Sequence, residues 1–174
     1  ALPAPRDHTF PDMVAIPGGS FAMGAAEGQG DPDERPRHKV TLSSFAMSRY
    51  EITNAQYEQF DPDHRRLRDG FSWRPDEPVI YVSWRDGANY CNWLSEQAGL
   101  TPAYELVEKQ VQRGKHTRTV KRWDVHMDAD GFRMPTEAEW EYVASGRGQD
   151  RPYPWGDDKP VPNRHGNFSL RKGL

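Results

Sequence analysis

The sequence predicts an α+β fold with little regular secondary structure, in which short antiparallel strands accompany two to three capped helices. Three stretches open with a hydroxyl residue suited to capping, Thr53, Ser83 and Thr136, each ahead of apolar residues at helical spacing. Several short runs alternate apolar and polar residues, which is typical of strands with one buried face. Long polar stretches separate these elements. The predicted scaffold is therefore loop-rich.

The composition limits the kind of protein this is. With 174 residues, 35% of them hydrophobic, the chain is long enough for one domain with one core. Its net charge of −3 favours neither nucleic acid nor an anionic surface as a partner. Six tryptophans, seven tyrosines and seven phenylalanines indicate a small aromatic core wrapped in polar loops. No apolar run approaches the ~18 residues that a membrane-spanning helix needs.

The sequence predicts a short N-terminal tail followed by one domain. Residues 1–11 contain three prolines and no periodicity, so they are predicted to be a tail. The start, Ala-Leu-Pro-Ala-Pro, has no initiator Met and resembles a processed end, either of a secreted or periplasmic protein or of a trimmed chain. Residues 12–174 are expected to form the domain.

The strands are predicted to lie in pairs. Residues 13–16 and 20–23 alternate around Pro17-Gly18-Gly19, which predicts a hairpin, and a turn explains these glycines better than a phosphate cradle. Residues 38–42 and 45–52 are expected to form a second pair. Residues 79–82 are predicted to be a buried strand.

Two helices are predicted in the middle of the chain. Thr53 caps a short helix over 54–60. Ser83, with Asp86 at the third helical position, starts the longest helix, and Gly99 ends it. Its predicted apolar stripe consists of Trp84, Ala88, Cys91, Leu94 (or Ser95) and Ala98.

The third helix begins in the stretch 131–142, which is the most informative in the sequence. Pro135 prevents an earlier start, while Thr136 and Glu139 complete a capping box. Gly146 suits the left-handed position that ends a helix. We expect Thr136→Ala to cost about 1 kcal/mol. Trp140 is predicted to be a core residue, so Trp140→Ala should cost about 3–5 kcal/mol.

The span 100–128 carries a basic run, which has two interpretations. Charge together with Trp123 would suit single-stranded nucleic acid. A solvated hairpin is favoured because the basic residues are local and the chain as a whole is acidic. The run consists of Lys109, Arg113, Lys115, His116, Arg118, Lys121 and Arg122.

Several polar clusters imitate metal or catalytic sites. Asp31, Asp33 and Glu34 could hold calcium, but neighbouring arginines favour a solvated loop. Residues 61–65 are better explained by Asx turns than by a metal. Residues 126–137 imitate an EF-hand, although His126 replaces the first carboxylate and Pro135 breaks the loop. The six histidines show no zinc-ligand spacing. Glu137 and Glu141 share a helix face, and an exposed surface explains them better than catalysis.

The amino-acid sequences of these stretches also resemble the motifs of a known family. GFRMPTEAEWEY (131–142) resembles a signature of the formylglycine-generating enzyme, or sulfatase-modifying factor, family. Four further stretches match the same family in the same order, so the resemblance extends from about residue 12 to residue 168. They are MVAIPGGSFAMG (13–24), RYEITNAQYEQF (49–60), PVIYVSWRDGANYCNWL (78–94) and YPWGD (153–157).

The resemblance implies a fold and a chemistry. The fold would be a modified C-type-lectin-like one, of which this chain supplies the N-terminal portion. Such enzymes oxidise the cysteine of a Cys-x-Pro-x-Arg motif in a sulfatase, using dioxygen and a copper ion held by two thiolates, and soft thiolates suit Cu(I). The chain has one cysteine, so no catalytic residue is assigned within it. Cys91 matches a family position that is structural.

The resemblance also implies a calcium site and partners. Asn167 and Phe168 match residues that begin a calcium site in the family, although an Asn after a Gly is equally typical of a plain turn. The expected partners are a sulfatase peptide or another protein, and a C-terminal half or second chain that completes the domain. The alternative function is a non-catalytic lectin-like or protein-binding module. Trp84, Trp140, Thr136 and Glu139 are expected to be structural, like Cys91.

Overall fold

A computed structural model describes residues 10–28, 31–114, 116–149, 151, 153–156, 158–162 and 164–166. The chain divides into two compact units. The first comprises Ala1–Met13 and Ser48–Met134, and the second comprises Val14–Met47 and Pro135–Leu174. Within the described ranges, no helix combines the length and the apolar character needed to cross a membrane.

The regular elements are short, apart from one helix and one long hairpin. The strands are β1 (Met13–Ile16), β2 (Gly19–Met23), β3 (His38–Leu42), β4 (Phe45–Ser48), β5 (Tyr104–Arg113) and β6 (His116–Val125). The α-helices are α1 (Asn54–Phe60), α2 (Trp84–Gln97) and α3 (Glu137–Ala144), and 3-10 helices cover Pro32–Glu34 and Pro62–Leu67. This is the α+β composition that the sequence predicts.

All three α-helices begin where the sequence predicts. Thr53, Ser83 and Thr136 each accept a hydrogen bond from the backbone N–H three residues on, and each capping box is complete. Such boxes satisfy backbone donors that have no partner inside the helix. Gly99 and Gly146 follow α2 and α3 with φ of 69°, as expected for left-handed residues that end helices.

The first unit has two aromatic-rich clusters on different sides of α2. One is formed by Tyr57, Tyr90 and Leu94, with the two tyrosine rings 5.3 Å apart. The other is formed by Ala88, Ala103 and Tyr104, with Cys91 packed against it. Ring packing of this kind adds about 0.5–1.5 kcal/mol per pair beyond the burial of area.

Because two clusters share α2, its buried face is wider than the predicted stripe. Tyr90 and Ser95 are buried, whereas Ala98 is exposed. Trp84 is 49% exposed, although its ring makes edge-to-face contacts with Tyr104 and Trp123. The prediction that Ala98 is a core residue was wrong. Trp84 is only partly buried, so it belongs to the core only in part.

The predicted strand over 79–82 does not form. Val79 donates one hydrogen bond to the carbonyl of Ile52 at 2.8 Å, beside an isolated bridge between Thr53 and Pro78. Tyr81 then adopts φ of 60°, which is left-handed and ends any extended run. The apolar side chains of Val79 and Val82 pack against the first cluster, although the segment is not a strand.

In the second unit, strands pair differently from the prediction. β1 pairs with β4, and β2 pairs antiparallel with β3, from Gly19 opposite Leu42 to Met23 opposite His38. Neither the predicted hairpin nor the second predicted strand pair forms. A Cβ at Gly18 would lie 2.5 Å from the Leu42 carbonyl oxygen, so this glycine permits a close backbone approach. β4 ends at Ser48, short of the predicted residue 52.

Helix α3 packs on β2 in the second unit. Tyr142 is 4% exposed, and its ring lies 5.3 Å from that of Phe21. Glu139 is 6% exposed and its carboxylate accepts the Thr136 N–H at 2.8 Å. Trp140, one position further, is 61% exposed. The prediction that Trp140 is a core residue was wrong, because Glu139 and Tyr142 occupy the buried face of this short helix.

Candidate functional site

Cys91, the one thiol in the sequence, lies on α2 against Ala88, Ala103 and Tyr104. Burial raises the pKa of the Cys91 thiol from 9.0 to about 11. The thiol is therefore protonated at neutral pH, and a protonated thiol is a poor nucleophile and metal ligand. This environment agrees with a structural role for Cys91.

A copper ion of the kind that the resemblance implies does not fit the residues present. Two thiolates are needed, whereas the sequence contains one cysteine, and that one is packed and protonated. Among the described residues, no group of three or more His, Cys, Asp or Glu side chains is arranged to hold a metal. The implied calcium residues Asn167 and Phe168 lie outside the described residues.

The other metal-like clusters have local structural roles. Asp61 accepts the Asp63 N–H at 3.2 Å, which is the predicted Asx turn. Asp31 caps the 3-10 helix at Pro32–Glu34. His126 bonds to Glu105 at 3.1 Å, while Asp130 accepts the Thr101 N–H at 2.8 Å. The side chains of Glu105, His126 and Asp130 line an open depression at the base of the β5–β6 hairpin.

A cleft of about 290 Å³ lies beside α3 in the second unit. The exposed indole of Trp140 forms one part of its lining, together with Glu141 from the same helix. The Glu141 carboxylate also accepts the Gly24 N–H at 2.9 Å, so it is fixed in place. The remaining polar lining includes Arg37, Arg151 and Tyr153. An indole next to guanidinium groups and a carboxylate suits a peptide with both apolar and polar groups.

The prediction that Glu137 and Glu141 are both plain surface residues was half right. Glu137 is exposed, whereas Glu141 is half-buried and holds the Gly24 backbone. The i, i+4 spacing placed both on one helix face but could not reveal which of them meets a loop. Glu141 was therefore missed as a lining residue.

The first unit carries a loop with three exposed aromatic side chains, which we call the aromatic loop (residues 68–82). Phe71, Trp73 and Tyr81 are 80%, 69% and 61% exposed. Tyr81 also holds the left-handed backbone noted above, which is costly for a bulky residue and must be maintained by its surroundings. Exposed aromatics on a fixed loop are typical of a binding surface.

One bidentate ion pair and one further carboxylate hold the aromatic loop. Asp69 accepts the Tyr81 hydroxyl at 2.5 Å and the Phe71 N–H at 2.8 Å. Arg68 binds both oxygens of Glu58 at 2.6 Å, in a pair whose side chains are only 9% and 14% exposed. Arg68 also donates to the Trp73 carbonyl at 3.1 Å. This loop was not predicted from the sequence, although its aromatic residues within a charged stretch were a usable signal.

Comparison with known proteins identifies the class of this protein. A family profile described as the sulfatase-modifying factor enzyme 1-like domain matches residues 1–172. The chain therefore belongs to this family. A solved structure of CarF superimposes with a TM-score of 0.61 at 24% identity, covering 89% of this chain and 69% of CarF, so the two share a fold. The fold prediction is confirmed.

Two curated relatives illustrate the range within the family. The formylglycine-generating enzyme of Bos taurus is 26% identical over 95% of this chain. The protein named inactive C-alpha-formylglycine-generating enzyme 2, also from Bos taurus, is 25% identical over 88% of this chain. The chain covers 48% and 54% of these proteins, and thus spans about half the length of the relatives it matches. The family includes active and inactive members.

Proposed function

We propose that this chain supplies the substrate-facing scaffold of a formylglycine-generating oxidase, which converts the cysteine of a sulfatase Cys-x-Pro-x-Arg motif to formylglycine. The conversion replaces a Cβ–S bond with a C=O bond, releases sulfide and removes two electrons. Dioxygen accepts these electrons and is reduced to hydrogen peroxide, or to water when a thiol reductant supplies two more. In this proposal, residues other than these 174 supply the copper-binding thiolates and complete the domain.

The observation that carries the proposal is the position of Trp140. Helix α3 lies within the motif that resembles the family. On this helix the Trp140 indole is exposed at a cleft and is not buried. The capping box of Thr136 and Glu139 fixes the start of that helix. In the proposal, Trp140 packs against an apolar part of the sulfatase peptide, and Glu141 attracts its arginine. Calcium bound at Asn167 and Phe168 remains part of the same proposal.

The test is an assay of the full-length protein with a Cys-x-Pro-x-Arg peptide, copper(I) and dioxygen, followed by mass spectrometry of the peptide. We expect the mass change of cysteine conversion to an aldehyde. Cys91→Ser should leave the rate unchanged, whereas Trp140→Ala should raise KM with little effect on kcat. No product from the copper-loaded protein would reject the oxidase.

The second candidate is a non-catalytic protein-binding module with the same fold. The aromatic loop favours it, because Phe71, Trp73 and Tyr81 are exposed on a strained but well-held backbone. A relative whose name states that it is inactive also supports this candidate. The test uses the same peptide with serine in place of its cysteine. Binding of this peptide that is lost in Trp73→Ala would favour the module over the oxidase, provided that the protein does not convert the cysteine form.

A further inference from the structure

The β5–β6 hairpin is a ribbon that is exposed over much of its length. Every residue of Glu108–Arg113 and of 116–119 is exposed, whereas the base contributes Tyr104 and Trp123 to the second cluster of the first unit. Ten-residue strands pair in continuous register from Tyr104 opposite Val125 to Arg113 opposite His116. A two-stranded ribbon is marginally stable on its own in water, so a partner that covers it would stabilise it.

The two faces of the ribbon differ in charge. Directly opposite residues lie on the same face of an antiparallel pair, so the register assigns each side chain to a face. On one face, beyond an acidic Glu105–Asp124 pair at the base, Val107 lies opposite Arg122, Lys109 opposite Val120, Val111 opposite Arg118, and Arg113 opposite His116. We call this the basic face. The other face carries Gln110 and Gln112 opposite Thr119 and Thr117, and one Glu108–Lys121 ion pair.

The basic face has cations that the structure leaves available. Arg122 bonds to Asp124 at 2.7 Å near the base. Lys109, Arg113 and Arg118 have no ion pair with any described residue. Between them lie Val107, Val111 and Val120, each opposite a cation, so apolar and positive groups alternate along the face. A complementary ligand carries carboxylates on the side that meets these cations.

The structure argues against nucleic acid as that ligand. Strong stacking on bases would use the large indole of Trp123 beside the cations, whereas the ring that the basic face carries is the smaller imidazole of His116. Trp123 lies on the opposite face, half-buried, with its ring 6.0 Å from that of Trp84. In contrast, no strand formed by the described residues pairs with the outer edge of β5 or of β6. An extended peptide can add to such an edge, and every second side chain of the peptide would then lie on the basic face.

From this geometry we propose that the basic face of the β5–β6 ribbon binds an extended acidic segment of a partner protein. The segment carries carboxylates at alternate positions, which meet Lys109, Arg113 and Arg118. Its backbone pairs with a free edge of the ribbon. This site shares no residue with the cleft beside α3 and does not depend on any redox chemistry.

The experiment measures fluorescence anisotropy of labelled peptides with the full chain. The probe is a peptide of alternating Glu and Thr, as long as β6, and the same peptide with Gln for Glu is its control. A labelled oligo(dT) of similar length tests nucleic acid. We expect saturable binding of the Glu peptide that weakens as salt rises, with the Gln peptide and the oligonucleotide binding at least about tenfold more weakly.

Matched variants test the face. Arg113→Gln with Arg118→Gln removes two positive charges from the basic face. Gln112→Glu with Thr119→Glu makes the same change in net charge on the opposite face. We expect about tenfold weaker binding for the first pair and less than about twofold for the second. Circular dichroism and thermal unfolding check that both fold. Absent binding, equal loss in both pairs, or a preference for oligo(dT) would overturn the proposal.

Discussion

The side-chain carboxylate of Glu141 accepts a 2.9 Å hydrogen bond from the backbone N–H of Gly24, and so ties helix α3 to the residue that follows strand β2. Gly24 has φ of 86°, and a Cβ there would lie 2.4 Å from the Glu34 carbonyl oxygen. Neither residue is therefore freely replaceable. The link spans 117 positions of sequence, which makes it informative about tertiary structure.

Glu141→Ala is expected to lower the free energy of unfolding by about 1–3 kcal/mol, since it leaves a half-buried backbone donor without its charged acceptor. Glu137→Ala, one turn earlier and exposed, is the control and should change stability by no more than about 0.5 kcal/mol. Urea unfolding followed by circular dichroism gives both values. Equal effects of the two substitutions would contradict the assignment.

Thr136→Ala should destabilise the protein more than Trp140→Ala, the reverse of what residue size suggests. The Thr136 hydroxyl accepts the Glu139 N–H, so its loss costs about 1 kcal/mol. Trp140 is 61% exposed, so its truncation should cost no more than about 0.5 kcal/mol. Thermal unfolding of both variants provides the comparison. A Trp140→Ala cost of several kcal/mol would mean that the ring is covered in solution.

Native Cys91 should react slowly with iodoacetamide near neutral pH, and its rate should rise as pH approaches about 11, the pKa to which burial raises the thiol. Because this pKa lies above the ordinary 9.0, the neutral thiol favours the folded state fully below about pH 9, and that contribution is lost between about pH 9 and 11. Mass spectrometry of the alkylated fraction over time gives the rate, and urea-unfolded protein is the control. Equal rates in native and unfolded protein near pH 8 would refute the burial argument.

Arg68→Ala should be among the most destabilising single changes in the first unit, at about 3–5 kcal/mol, because it leaves the Glu58 carboxylate 14% exposed and unpaired. It also removes the donor to the Trp73 carbonyl. Arg66→Ala is the matched control, since its ion pair with Asp63 is more than three-quarters exposed. Denaturant unfolding should separate the two clearly. A small Arg68 effect would show that the pair is solvated.

Tyr81→Phe should raise the pKa of Asp69 towards its ordinary value, because the Tyr81 hydroxyl is the main cause that lowers this pKa. The hydrogen bond favours folding above the ordinary carboxyl pKa, and this contribution disappears as pH falls through the lowered one. Carbon-detected NMR titration of the side-chain carboxyls measures the change. The pKa of Asp76, lowered mainly by Arg74, should stay constant and serves as the internal control.

The helices were predictable because their signals are local. A hydroxyl residue, an acceptor three positions later and a terminal glycine act within one turn, as at Ser83, Asp86 and Gly99. Strand partners were not predictable in this way. Pro17-Gly18-Gly19 has the composition of a hairpin turn, but Gly18 is small because the Leu42 backbone passes beside it.

The candidate site was predicted less well than the fold. The sequence motif of residues 131–142 indicated a family, but it did not predict which side of the eight-residue helix is buried. The choice between Trp140 and Tyr142 depends on Phe21, which is more than a hundred positions away. Likewise, the left-handed backbone of Tyr81 has no signature in sequence, since any residue with φ near 60° other than Gly is exceptional.

The packing of Cys91 has a practical value for those who study this protein. A second cysteine introduced at an exposed position, such as Thr119 on the hairpin or Phe71 in the aromatic loop, would present an accessible thiol against a native one that is protected. Spin labels or fluorophores can then be attached at one chosen place without first removing the native sulfur, and distances to bound peptides can be measured directly.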